Sequence, residues 1–232
     1  MRHIFTKFTY VATIVSALVL GACSSTNKRE AASLVSIDEQ KITVESVWST
    51  SVGKSETFVM RPVVAGDYIY TSSGNGRVTK VDILTGKVVW EVRAPSDLSS
   101  GPGSDGAIVV VGTAKGIVYA YDADGQKIWE EKLGSEVLTE PLVMDGFAII
   151  RTIDNRFIGL DAKTGKRRWS YARPQTALAL RTSFAMVPVA ADAFVTGFSG
   201  GKIGVIGATT GNVLWETSLA FPKGFSEIER MT

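Results

Sequence analysis

The chain has 232 residues, 45% hydrophobic and 21% charged, which supplies ample material for a buried core and excludes a disordered polymer. Its 25 Lys and Arg face 23 Asp and Glu; Arg2 and Lys7 make up the difference, so the chain after residue 22 is neutral and its longest basic run is only Lys166-Arg167-Arg168. That excludes the concentrated basic face that nucleic acid requires. His3 and Cys23 are the only residues of their kinds, so the body of the chain has no histidine base, cysteine nucleophile, disulfide or His/Cys metal site. No catalytic set, metal site or cofactor motif is expected.

Residues 1–22 read as a signal peptide. Arg2, His3 and Lys7 form a basic start, and Phe8 to Leu20 form an apolar stretch of 13 residues. A bilayer core needs roughly 20. Leu20-Gly21-Ala22-Cys23 follows and resembles the lipobox of bacterial lipoproteins, in which Cys23 is lipidated and becomes the first mature residue. Residues 23–42 are then the lipidated cysteine and a tether, small and polar from Ser24 to Ser33.

From residue 43 to 232 the chain repeats. Trp48, Trp90, Trp129, Trp169 and Trp215 are spaced by 42, 39, 40 and 46 residues. The phrase Val81-Asp82-Ile83-Leu84-Thr85-Gly86-Lys87-Val88-Val89-Trp90 recurs, with small changes, before Trp129, Trp169 and Trp215. Each repeat opens near a proline (Pro62, Pro102, Pro141 or Pro188), continues through glycine-bearing turns and ends on its Trp strand. A period near 40 residues with four short strands is the pattern of β-propeller blades, and a sandwich does not repeat one phrase at fixed spacing. The expected fold is all-β, a β-propeller of four-stranded antiparallel blades at about 56–97, 98–136, 137–176 and 184–222, with an additional N-terminal strand at Trp48. The five tryptophans are expected to pack between blades rather than stack on a ligand. Asp82, Asp122 and Asp161 are expected to hydrogen-bond their own turns, with Gly207 at that position in the last repeat.

One connection departs from the period. The interval from Pro to the next Trp is 28, 27, 28 and 27 residues, but from each Trp to the following Pro it is 14, 12, 12 and then 19. The excess lies between Trp169 and Pro188, with Leu178, Leu180 and Arg181 near its centre. Leu178 and Leu180 share a face in an extended segment. They either fold back onto the propeller or, with Arg181, form a contact surface; apolar anchors beside an arginine are the composition of a binding hot spot.

The lipobox, the Asp-x-x-Thr-Gly-x-x-x-Trp blades and the Leu178-Ala179-Leu180-Arg181 segment together resemble the BamB family of outer-membrane protein assembly factors, over the whole chain. The resemblance implies an eight-bladed propeller lipoprotein on the periplasmic face of the outer membrane, without enzymatic activity. It implies binding to the periplasmic part of the central barrel-inserting subunit through Leu178, Leu180 and Arg181, with unfolded outer-membrane proteins as further partners. Four repeats are half of that ring, so the chain is expected to be a truncated form of it. The alternative is a quinoprotein dehydrogenase, whose blades carry a similar phrase; four repeats would not enclose the axial pocket such an enzyme uses.

Overall fold

The structure is a computed structural model that describes residues 44–55, 57–173, 184–199 and 201–219. Its core strands are unbroken apolar runs such as Ile108-Val109-Val110-Val111 and Ala148-Ile149-Ile150, all buried. Successive side chains of a strand point to opposite faces, so such a run forms only where a sheet is covered on both sides.

The strands group as four antiparallel meanders. The first holds β1 (Val63–Ala65), β2 (Tyr68–Ser72), β3 (Arg77–Asp82) and β4 (Val88–Arg93). The second holds β5 (Gly103–Ser104), β6 (Ile108–Gly112), β7 (Ile117–Asp122) and β8 (Lys127–Lys132). The third holds β9 (Leu142–Met144), β10 (Phe147–Arg151), β11 (Arg156–Asp161) and β12 (Arg167–Ala172). The fourth holds β13 (Met186–Ala190), β14 (Ala193–Phe198), β15 (Lys202–Gly207) and β16 (Val213–Ser218). Each sheet is one blade, and the all-β propeller expected from the repeat is the fold observed. The short first strands lie side by side, β1 by β5, β5 by β9 and β9 by β13, and so mark the propeller axis.

The core is not inside any blade but between blades. Tyr70, Val78 and Leu98 meet Val109, Val111 and Tyr121 across the first junction. Val110, Val118 and Trp129 meet Ile150, Ile158 and Leu160 across the second. Ile149 and Phe157 meet Phe194, Phe198 and Ile206 across the third. Odd and even positions of one strand therefore serve different neighbours, as Val109 and Val110 do.

A register shift occurs at the same place in every blade, where the pairing passes over Val89, Ile128, Arg168 and Leu214. Each is the residue before a blade tryptophan, and a bulge there re-aims the next side chain. The indole then reaches the turn of the following blade. Trp48 Nε1 donates to the Ile83 carbonyl at 3.0 Å, and Trp90, Trp129 and Trp169 donate to the carbonyls of Ala123, Ala162 and Ala208, each at 2.8 Å. The ring lies flat on the turn glycine. A β-carbon at Gly86 would come within 2.5 Å of the Trp48 ring, and one at Gly165 within 2.8 Å of Trp129. Both glycines also hold positive φ, 69° and 72°, which a side chain would strain. Trp215 has no such turn against it among the described residues and is 49% exposed, where Trp129 is 8% exposed.

This contrast is testable by urea unfolding. Trp129→Ala removes a buried interblade side chain and is expected to cost about 3–5 kcal/mol. Trp215→Ala, at a half-exposed site, is expected to cost less than about 1 kcal/mol.

Candidate partner interface

The turn that receives each tryptophan is built by its aspartate. Asp82 Oδ1 accepts the backbone N–H of Leu84 at 3.1 Å, that of Thr85 at 2.8 Å and the Thr85 hydroxyl at 2.7 Å. Asp161 repeats this with Thr164, at 3.0 Å to the N–H and 2.8 Å to the hydroxyl. Asp122 accepts the N–H groups of Asp124 and Gln126 at 3.0 and 2.8 Å. The Thr85 hydroxyl, more than any other contact, holds the Asp82 carboxyl below the ordinary carboxylate range, and Thr164 does so for Asp161. In the fourth blade Gly207 keeps only the backbone part of the turn, with Gly211 N–H donating to the Gly207 carbonyl at 2.8 Å. Through Oδ1 these carboxylates shape the turns that receive the tryptophans.

The four opening prolines converge on the axis. Pro62, Pro102, Pro141 and Pro188 line a half-open cavity of about 360 Å³, together with Val63, Leu142 and Met186. Arg61 and Glu140 form an ion pair at its wall, 3.7 Å apart. Among the described residues no group of three or more His, Cys, Asp or Glu is placed to hold a metal. The cavity lining is mainly apolar, with Ser104 and this charge pair as its polar groups.

The long connection leaves the third blade at Arg173 and rejoins the fourth at Phe184. Leu178, Leu180 and Arg181 lie between these points and outside the described residues, as does Cys23. Trp48, Trp90, Trp129, Trp169 and Trp215 are all described and stand at the blade faces given above. The departure point is held by charge. Arg173 donates to Glu216 through its two terminal guanidinium nitrogens, Lys202 Nζ donates to Glu216 Oε1 at 2.9 Å, and the Arg173 guanidinium sits 4.2 Å from the centre of the Phe198 ring. Hydrogen bonds from Arg173 and then Lys202 push the Glu216 carboxyl down to about 2. At the return point, Phe184 packs on Gly197 and its carbonyl accepts a hydrogen bond from Arg151. Sequence reasoning passed over Arg151. Its signal was there: a long cation closes a strand that ends in Ser72 or Gly112 in the two preceding blades.

Blades of antiparallel meanders, joined by tryptophans seated on Thr-Gly-type turns around a common axis, define a β-propeller. The family described as outer membrane protein assembly factor BamB matches residues 30–100 and 74–232. The chain belongs to the BamB family. It is 38% identical to the outer membrane protein assembly factor BamB of Burkholderia pseudomallei, over 95% of this chain and 58% of that protein. With its counterpart in Bordetella pertussis it shares 39% identity, over 82% and 49%. The chain thus spans about half the length of the curated relatives it matches. A crystal structure of BamB from Moraxella catarrhalis superposes with a TM-score of 0.66 at 24% identity, covering 74% of this chain and 52% of that one. A quinohemoprotein alcohol dehydrogenase from Pseudomonas putida HK5 superposes at 0.55 with 17% identity, over 71% and 34%, and shares the fold alone.

The Glu216 pair gives a pH-dependent expectation. A carboxyl with a lowered folded pKa stabilises the fold above its unfolded pKa, and this contribution disappears as pH falls toward 2. Thermal melts of Glu216→Gln between pH 7 and 2.5 are expected to start from a lower midpoint at pH 7 and to fall less steeply below pH 4.5.

Proposed function

We propose that this chain is a scaffold subunit of the machinery that assembles β-barrel proteins into the outer membrane, anchored at the periplasmic face through lipidated Cys23 and without enzymatic activity of its own. Its main partner is the periplasmic part of the central barrel-inserting subunit, and Leu178, Leu180 and Arg181 make the contact. Unfolded outer-membrane proteins are secondary partners. Membership of the BamB family supports the role, since the relatives carry the name of outer membrane protein assembly factors. The observation that carries the site is the one enlarged connection on an otherwise constant set of blades, because a rigid scaffold with one grown loop places its binding residues there.

The quinoprotein reading has weaker support. The likeness to quinohemoprotein alcohol dehydrogenase is a likeness of fold, and the blade aspartates are occupied in their turns. Function is argued from the site and not from a shared fold.

The test is a pull-down from solubilised outer membranes with tagged full chain beside a Leu178→Ala/Arg181→Ala variant. The parent is expected to retain a large β-barrel protein and the variant to lose it, with the circular dichroism of the two unchanged. Equal retention by both would refute the assignment of these residues.

A further inference from the structure

Strand register assigns each blade a front face, the one that carries its tryptophan, because directly paired residues point to the same side of a sheet. Across the strands this face runs Val63–Tyr70–Lys80–Trp90 in the first blade, Gly103–Val110–Ala120–Trp129 in the second and Leu142–Ile149–Gly159–Trp169 in the third. The next blade covers each of these rows, and each indole donates to a carbonyl in that blade's turn between its third and fourth strands. In the fourth blade the same row is Val187–Val195–Val205–Trp215, apolar from hub to rim. Val187 is 51% exposed and Trp215 nearly as much, so both ends of this row stand open to solvent.

The other end of the array has the matching deficiency. The back face of the first blade presents Val64–Ile69–Val81–Val88, apolar throughout, whereas the corresponding rows of the second and third blades end in Lys127 and Arg167. Val64 is 59% exposed and Val88 46%. What occupies this blade's turn is not a blade but a strap, residues 46–54, which forms no strand. Among the described residues, the strap bonds to the blade from Trp48 Nε1 to the Ile83 carbonyl, from the Thr50 hydroxyl to the Gly86 carbonyl, and from the Gly74 N–H to the Lys54 carbonyl at 2.9 Å. On the same back face the hydroxyls of Thr71 and Thr79 are buried without a hydrogen-bond partner among the described residues. An unpaired buried hydroxyl is destabilising, so the strap answers this face less completely than a blade answers the others.

One end of the array therefore holds an indole without a seat, and the other a seat without a blade. The three internal junctions define what a front face takes: an apolar back face whose turn offers a glycine and a carbonyl. The first blade of another copy has both, at Gly86 and Ile83. We infer that this chain self-associates head to tail, the fourth blade of one copy docking on the first blade of the next, with Trp215 replacing Trp48 at Ile83 and Gly86. The strap is thus a competitor: with Trp48 seated the back face is closed to a second copy, and its release opens it. Such a heterologous contact closes into a ring or extends as a filament, depending on the rotation between copies. The inference is independent of the partner contact at Leu178, Leu180 and Arg181.

Two tryptophans on equivalent segments are consequently expected to act in opposite directions. The full chain, purified in detergent, is followed over a range of concentrations by sedimentation velocity beside its variants; residues 1–47 are common to all of them, so any association through those residues cancels. Trp215→Ala and Val187→Lys remove the incoming face and are each expected to weaken self-association by about tenfold or more. Trp48→Ala removes the competitor and is expected to strengthen it by about tenfold, since a larger fraction of molecules is then competent. If circular dichroism shows Trp48→Ala to be unfolded, Thr50→Val takes its place, with a smaller shift in the same direction. Trp48→Ala/Trp215→Ala is expected to lose the gain. Association of Trp215→Ala equal to that of the parent overturns the inference, because the contact then lies elsewhere. Monomers at every concentration for both the parent and the strap variant also overturn it, and the front face of the fourth blade is then covered from within its own chain or stays bare.

Discussion

Everything in this fold depends on how one blade is fastened to the next. A four-stranded meander with both faces apolar cannot exist alone in water, and each blade here is stable only because its neighbours cover it. Apolar contact alone would let two sheets slide. The indole N–H, directed at one carbonyl and seated on a glycine, fixes the translation and the rotation of every junction at once. The aspartate that shapes the receiving turn thereby acts on the neighbouring blade as well as its own. Hydrophobic burial supplies the cohesion, and a polar contact sets the geometry.

Because the junction is standardised, the rest of the chain is free to vary at small cost. The connections between blades are outside the repeating unit, so lengthening one leaves the docking of the blades it joins intact. The third junction shows this. It retains the Trp169 bond to Ala208 and an apolar core, yet it also accommodates a buried guanidinium, three phenylalanines and the Arg173–Glu216–Lys202 network. Specialised chemistry has been added beside the standard joint rather than in place of it.

The sequence made the blades legible because the features that build them are periodic. Trp, Thr-Gly and Asp recur in one register, and a period is visible without coordinates. The enlarged connection was visible for the complementary reason, as an interval that breaks the count. Arg151 was not, because it is an ordinary polar residue in a strand. Its meaning lies in a register that aligns it with Ser72, Gly112 and Gly197, and in bonds to Phe184 and Thr196, which are 33 and 45 residues away. The prolines were read as strand openers, and their convergence around one axis needed the blades to be placed in space.

That convergence bears on how the molecule lives with other strands. The innermost strand of a blade has one edge unpaired, and a row of free N–H groups is a template on which any extended chain can add itself. Here those edges are only three, two, three and five residues long, and each carries or directly follows a proline, which has no N–H to offer. The hub of the propeller is therefore a poor seed for sheet growth. Any extended segment that meets the hub finds few free N–H groups to pair with, so the blades keep their own strand count and are not drawn into a neighbouring sheet.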